Sequence, residues 1–465
     1  MKIFLSALLT LFVFNTTVSA VEEIDVDVKR RPHSEAWKSY RTTIISKAER
    51  DDGQTSGEVN RYGGGATPVS PGTVFFHVQK INEVWVIVDP EGGLFISKGL
   101  NSVRMGKTNA SKSAFASHFG TTDNWPRKTL KDLQAAGFNT LGSWTDWRQF
   151  QKPDARMPYT ITWNFMEKYG RKVGGVYQQS GHVGYPQDCI YVFDKAFEDH
   201  CDELAKQMLE VSDDPYLLGH FSDNEMPLRL NMLDRFLELK KSQEGYLAAV
   251  AWLNRRGVER AAITDEIREA FVEYAAEQYF RVVKQAIRKH DPNHMYLGCR
   301  FHGQALTLKP LFKAAKEHVD VLSINWYWQW TPDTEKMDNW KQWSDRPFII
   351  TEFYAKGMDS GMGNKSGAGW VVKTQRDRGY FYQNFTLGLL KHPNCVGWHW
   401  HRYMDNDPAA GQDPSNVDSN KGIVTSKYEP HEDLVSEMAT MNAAVHNLRE
   451  GMLQANSNAE LPTAE

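Results

Sequence analysis

The chain has 465 residues and a formal net charge of -4, with its charged residues spread along the sequence and no Lys/Arg block. Phosphate binding needs clustered positive charge, so no nucleic acid partner is expected. The four cysteines, Cys189, Cys201, Cys299 and Cys395, lack the close spacing of a metal site and the density of a disulfide scaffold, so no metal or other cofactor is expected either.

Lys2, the apolar run from Ile3 to Phe14 and the small-residue ending Val18-Ser19-Ala20 read as a secretory signal peptide over residues 1–20. The mature chain is then expected to start near Val21 and to work in the periplasm or outside the cell. The run is shorter than the roughly 20 residues that a bilayer span needs, and no later stretch is long and apolar enough, so no membrane span is expected. A Cys189–Cys201 bridge stays open in such an oxidising compartment. Cys299 and Cys395 lie in or beside apolar runs and read as buried thiols.

Residues 21–75 are polar and broken by Gly63-Gly64-Gly65 and Pro68-Val69-Ser70-Pro71, which predicts an extended N-terminal arm with little core of its own. A strand, a turn and a second strand follow over Val84 to Ile96. From there apolar β-rich bursts alternate with helical stretches, the pattern of a parallel sheet with crossover helices. The bursts are Phe95 to Val103, Thr140 to Trp144, Tyr159 to Trp163, Tyr216 to Ser222, His294 to Arg300, Val319 to Trp326, Phe348 to Tyr354 and Val396 to Tyr403. Closed into a ring, they predict an α/β fold, a (β/α)8 TIM barrel with long βα loops over residues 76–450, and a polar tail over 451–465. Thr264 to Lys289 reads as a helix, with acids in its first turn, bases in its last, and Asp291-Pro292 as its stop. Oligomeric state leaves no mark on the sequence.

In a barrel enzyme the catalytic groups stand at the C-terminal ends of strands. Two bursts end in a carboxylate: Tyr216 to Ser222 runs into Asp223-Asn224-Glu225, and Phe348 to Thr351 runs into Glu352. Either alone could be a salt-bridged strand end. Together they suit retaining glycoside hydrolysis, in which one carboxyl protonates the leaving oxygen and the other attacks the anomeric carbon. The 15 Trp suit the same reading, since sugar C–H faces pack on aromatic rings, although most Trp belong to cores.

With the pair at the fourth and seventh bursts, the chain resembles clan A of the glycoside hydrolases. The resemblance implies Glu225 as acid/base, Glu352 as nucleophile and Asn224 on the sugar hydroxyl beside the reacting carbon. It also implies a hydrogen-bond donor to the nucleophile at Tyr327, with Asn325 the alternative, and a Trp floor under the reacting sugar at Trp400 or Trp398. Alternation puts Trp398 and Trp400 on one face of their strand and His399 and His401 on the other, so only one pair can enter the barrel. Arg300, His302, Trp144, Asp146 and Asn101, at other strand ends, are further candidate substrate contacts.

Gly99-Leu100-Asn101-Ser102-Val103, Gly137-Phe138-Asn139-Thr140, Asp223-Asn224-Glu225, Tyr296 to Phe301, Arg346-Pro347 and Val396 to Trp400 together look like the catalytic domain of agarases of glycoside hydrolase family 50. That resemblance implies a β-linked red-algal galactan as the polysaccharide or oligosaccharide substrate: agarose, porphyran or carrageenan. The alternatives are a β-galactosidase, β-glucanase or β-mannanase of the same clan, or a non-catalytic polysaccharide-binding barrel. After Glu352 the chain departs from the family pattern into a Gly-rich loop holding Lys356, Lys365, Trp370, Lys373 and Arg378, whose lysines and arginine are candidates to pair with sulfate esters.

Overall fold

The computed structural model describes residues 21–33, 36–46, 57–152, 154–175, 185–406 and 417–459, with side chains of the last helix described to Leu453. The signal peptide expected over residues 1–20 and the end of the expected polar tail lie outside the described residues. Eight parallel strands line up in chain order: β6 (Ser97–Leu100), β7 (Thr140–Leu141), β8 (Tyr159–Thr162), β9 (Leu217–Phe221), β10 (Met295–Tyr296), β11 (Leu322–Asn325), β12 (Phe348–Phe353) and β15 (Cys395–Trp400). β15 pairs with β6 at one end of this order, and a parallel bridge between Phe301 and Ile324 joins the continuation of β10 to β11, so the sheet closes into a barrel. All eight expected bursts supply a strand.

The helix expected from Thr264 runs over Asp265–His290 (α2), after a shorter one at Phe165–Lys172 (α1). The strand-turn-strand unit precedes the barrel as β3 (His77–Ile81), β4 (Val84–Val88) and β5 (Leu94–Phe95), an antiparallel sheet. Its Ile87 and Phe95 pack with Leu218, Met295, Leu297, Val321, Ile349 and Val396, which plug the end of the barrel where the strands begin. Each such side chain contributes about 1.5–3 kcal/mol on burial.

Residues 21–75 are more than an arm. β1 (Val21–Lys29) and β2 (Lys38–Ile45) form a hairpin, and β1 pairs antiparallel with β14 (Trp370–Val372), which lies parallel to β13 (Ala355–Gly357). Val26, Val28 and Ile45 are buried in the main core. Alternation of buried and exposed positions along β1 accounts for the polar composition that masks it in the sequence. No helix among the described residues is long and apolar enough to cross a membrane. All four cysteines are free and buried, so Cys189 and Cys201 form no bridge.

His220, Asp291 and His294 meet in the interior, the one group of metal-ligating types found among the described residues. They make a hydrogen-bonded staple. Asp291 Oδ2 lies 2.7 Å from His220 Nε2 and 2.8 Å from His294 Nδ1, and His294 Nε2 lies 2.9 Å from the Asp214 carbonyl. His220 Nδ1 accepts from the Trp163 indole, which leaves its Nε2 to carry the proton given to Asp291, not a metal. Burial alone would raise the Asp291 carboxyl, but the two imidazoles outweigh it and hold it well below the usual carboxylate range. A depressed carboxyl stabilises the fold above its unfolded pKa and loses that contribution as pH falls. Asp291→Ala should therefore lose about 1–3 kcal/mol for each buried imidazole N–H left unmet, by urea unfolding at pH 7. The deficit should shrink in acid below the ordinary Asp pKa of about 3.9; a deficit independent of pH would contradict the charge assignment.

Candidate active site

β9 runs on past Phe221 into the mouth of the barrel through Asp223, Asn224 and Glu225. Asp223 is buried, and its carboxylate accepts from the backbone N–H of Met166 at 3.0 Å, from that of Glu167 at 3.1 Å and from the Tyr279 hydroxyl at 2.6 Å. It thus caps α1 from another strand. Burial raises its carboxyl to about 7 against those hydrogen bonds. The Glu225 N–H donates to the Arg300 carbonyl at 3.0 Å, and Glu225 sits at φ 48°. A non-glycine residue there is strained, of order 1–3 kcal/mol, and such strain gathers at functional sites.

Glu352 lies in β12, its side chain 6% exposed, with Arg300 Nη2 2.9 Å from Oε1. The Tyr327 hydroxyl donates to Oε2. Burial pushes the Glu352 carboxyl up; Arg300 opposes this, the charge of Glu225 adds to it, and Tyr327 and Lys421 pull the other way. Burial and the Glu352 charge raise the Tyr327 hydroxyl well above its ordinary value, so it stays a donor.

A web of amides and guanidinium ties the two carboxylates together. Asn325 Nδ2 donates to Glu225 Oε1 at 2.8 Å and to Asn224 Oδ1 at 3.1 Å, while its Oδ1 accepts from the Thr351 hydroxyl at 2.8 Å. Arg300 donates to Asn224 Oδ1 at 3.0 Å and to the Thr351 carbonyl at 2.8 Å. Two donors on Asn224 Oδ1 leave its Nδ2 as the amide's own donor. His302 Nδ1 stands 3.8 Å from Glu225 Oε1, with its ring edge-on to Tyr327. The Trp144 ring, half-buried at φ 60°, lies 4.4 Å from the Arg300 guanidinium and 5.7 Å from the His401 ring.

The structure therefore gathers Glu225, Glu352, Asn224, Arg300, Asn325, Tyr327, His302 and Trp144, and corrects the remaining expectations. Trp398 and Trp400 are fully buried on the outside of β15, where their indoles donate to the Tyr382 hydroxyl and the Lys421 carbonyl. The reason is a register shift at Gly397: Val396 still points into the barrel, and the irregularity leaves His399 and His401, not the tryptophans, facing inward after it. A Cβ at Gly99 would lie 2.1 Å from the His399 ring, and His401 Nδ1 stands 4.0 Å from Glu352. Asn101 is fully buried beneath the cleft, its amide on the Thr351 carbonyl, so it holds β12 and not substrate. Arg300 is likewise inaccessible and positions Glu352. Asp146 is exposed at the rim.

The basic loop after Glu352 is not a set of waiting cations. The Lys356 ammonium is buried against the carbonyls of Ser366 and Gly367 at 3.1 Å, and burial pushes it down to about 8. Arg378 is buried on the carbonyls of Ala355 and Gly422, Lys373 pairs with Asp27 at 2.6 Å, and Trp370 packs in β14. Among the described residues, Lys365 alone of these basic groups is exposed without such a tie. Sequence reading passed over Lys421, Arg402 and Arg104. Lys421 and Arg104 lie outside the expected bursts, and Arg402 falls near the end of the last of them, a strand end that could have singled it out.

Residues 265–446 match the family model described as the TIM barrel domain of family 2 glycosyl hydrolases. Beta-agarase B of Vibrio sp. (strain JT0107) is 26% identical over 499 residues, covering 83% of this chain and 50% of that protein. The chain thus spans about half the length of the curated relatives it matches. The crystal structure of BpGH50 is similar at 30% identity and a TM-score of 0.80, covering 92% of this chain and 96% of that one. The agarase AgWH50C, at 22% identity and a TM-score of 0.73, covering 90% of this chain and 71% of its own, shares the fold.

Proposed function

Because the chain belongs to glycoside hydrolase family 50, we propose that it is a retaining hydrolase of β-linked red-algal galactan, with Glu225 as acid/base and Glu352 as nucleophile. The observation that carries this reading is that two carboxylates from different strand ends share one hydrogen-bonded web at the barrel mouth. Glu352 is held by a guanidinium and a tyrosine hydroxyl, which oppose the upward push of burial, and Glu225 accepts from Asn325, whose amide also reaches Asn224. Two carboxyls facing the same mouth are what double displacement requires.

In the first step the Glu225 proton passes to the glycosidic oxygen as the bond to the anomeric carbon breaks, and a Glu352 oxygen bonds to that carbon. The aglycone leaves with the proton. In the second step Glu225 takes a proton from water, the water oxygen bonds to the anomeric carbon, and the Glu352 ester breaks with configuration kept. Asn224 Nδ2 and His302 supply polar contacts to the sugar, and Trp144 supplies a ring face. The protein acts in the periplasm or outside the cell, its catalytic domain spanning residues 76–450. The names of the curated relatives favour agarose among the red-algal galactans.

The test is reducing-end release from agarose, porphyran, carrageenans, β-glucans and β-mannans, with the anomer of the first product followed by NMR. Release from a red-algal galactan as the β-anomer is expected. First-formed α-anomer would overturn the retaining route, and release from a glucan or mannan alone would overturn the substrate class while keeping the fold and the pair.

A further inference from the structure

Among the described residues two tryptophans have a left-handed backbone, Trp144 at φ 60° and Trp328 at φ 64°. Both are half-buried, and both stand just past a strand end, Trp144 after β7 and Trp328 after β11. Bulky side chains rarely sit at positive φ, so the surroundings must hold each ring where it is. For Trp328 the alternative is visible in its neighbours. Trp326 leaves the end of β11 outward and packs on Trp340 at 4.8 Å and Phe385 at 5.9 Å, while Tyr327 turns inward and donates to Glu352. Extended backbone would send Trp328 outward again, after Trp326. The left-handed turn sets it beside the Trp370 ring instead, at 5.9 Å and 82°, with part of its surface open.

A guanidinium lies over each ring. That of Arg300 is 4.4 Å from the Trp144 centroid, and that of Arg30, just past the end of β1, is 5.4 Å from Trp328 and 5.8 Å from Trp370. Trp370 also packs on Tyr40 of β2 at 5.5 Å, so the N-terminal hairpin reaches the mouth and braces this corner of it. The order of strands sets the two rings apart. β7 is second and β11 sixth in the closed ring of eight, which puts Trp144 and Trp328 on opposite sides of the mouth. β9, which leads into Glu225, lies on one side of the line between them, and β12, which carries Glu352, on the other. A sugar chain laid from one tryptophan to the other therefore passes between the two carboxyls, the arrangement that flanking carboxyls require.

We infer that Trp328 is the platform of a second sugar subsite, opposite Trp144 and outside the reacting sugar, held in place by Trp370 and by Arg30 of the N-terminal hairpin. This rests on the glycoside hydrolase reading and adds a subsite to it. Trp328 stands one residue out from Tyr327, which touches the nucleophile, so a sugar on its ring is a neighbour of the reacting one. A cation over one face of an indole leaves the other for the C–H face of a pyranose, which packs there without any charge of its own.

The experiment measures calorimetric binding of agarose-derived di-, tetra- and hexasaccharides to Glu352→Gln, alone and combined with Trp328→Ala or Trp328→Phe. Affinity should rise with chain length, Trp328→Ala should lose about tenfold on the hexasaccharide and much less on the disaccharide, and Trp328→Phe should keep most of the gain. Should Trp328→Ala fail to fold, Trp328→Leu, which keeps apolar bulk but has no flat ring, takes its place with the same expectation. An equal loss at every length would make Trp328 a prop for Tyr327, and no loss at any length would leave its ring without a sugar; either overturns the inference. If wild type cuts no red-algal galactan, the galactan reading fails on its own, and the same length series made from whichever β-glucan or β-mannan it cuts decides the platform. If it cuts none of these, binding alone decides: a loss that grows with length in Trp328→Ala supports the platform, and absence of binding overturns it.

Discussion

Glu352→Gln should lower kcat by at least about ten-thousandfold while the protein still folds and binds oligosaccharide. The amide keeps the volume of the carboxyl and can still accept from Tyr327 or Arg300, so what is lost is the anion that bonds to the anomeric carbon. Glu225→Gln should cost less, about 10²–10⁴-fold, because general acid–base help is worth that much. The two variants should also differ in kind. On an aryl glycoside whose leaving group needs no proton, Glu225→Gln should still form the glycosyl-enzyme, visible by mass spectrometry as an added sugar on Glu352. Glu352→Gln should form none. Equal turnover in wild type and Glu352→Gln would remove Glu352 from the mechanism.

Arg300→Met should be the most damaging change outside the carboxylate pair. The guanidinium is buried, 2.9 Å from Glu352, and also holds Asn224 and the Thr351 carbonyl, so its loss leaves a desolvated carboxylate unmatched. Breaking such a pair costs about 3–5 kcal/mol. The sign with pH follows from the upward push that burial gives Glu352. A carboxyl raised in the fold favours folding while it is protonated, and that contribution is lost as pH rises through the folded pKa. Without Arg300 the Glu352 pKa rises further. The acid limb of kcat/KM should move to higher pH, and the stability deficit should be largest above that pKa and smaller in acid. Unfolding by urea across pH, beside the pH–rate profile, checks both; an acid limb that stays in place would show that Arg300 does not set the charge of Glu352.

Much of the barrel was legible because its signals are local. Each of the eight strands is a short apolar run, and the Asp265–His290 helix carries acids at its start and bases at its end. The carboxylate pair was legible because a strand ending in a carboxylate is unusual, and the barrel brings such ends to one mouth. Asn224 and Tyr327 came from the likeness to clan A at those strand ends, and His302 from the strand-end rule. What failed had non-local causes. Counting along Val396 to Tyr403 could show that tryptophans and histidines face opposite ways, but not which way. A one-residue irregularity at Gly397, where a Cβ would lie 2.4 Å from the Ser97 carbonyl of the neighbouring strand, made the choice. The cations of Lys356 and Arg378 looked available in the sequence and are consumed by backbone carbonyls.

By itself, then, the sequence determined the alternation of strands and helices, the strand ends that bear carboxylates, and the likeness to family 50 agarases, since each rests on periodicity or on a few adjacent residues. The tertiary structure alone decided that β1 joins β14 and that His401 and not Trp400 faces Glu352. Those outcomes depend on which backbones approach, and that is not written in any local stretch of the chain.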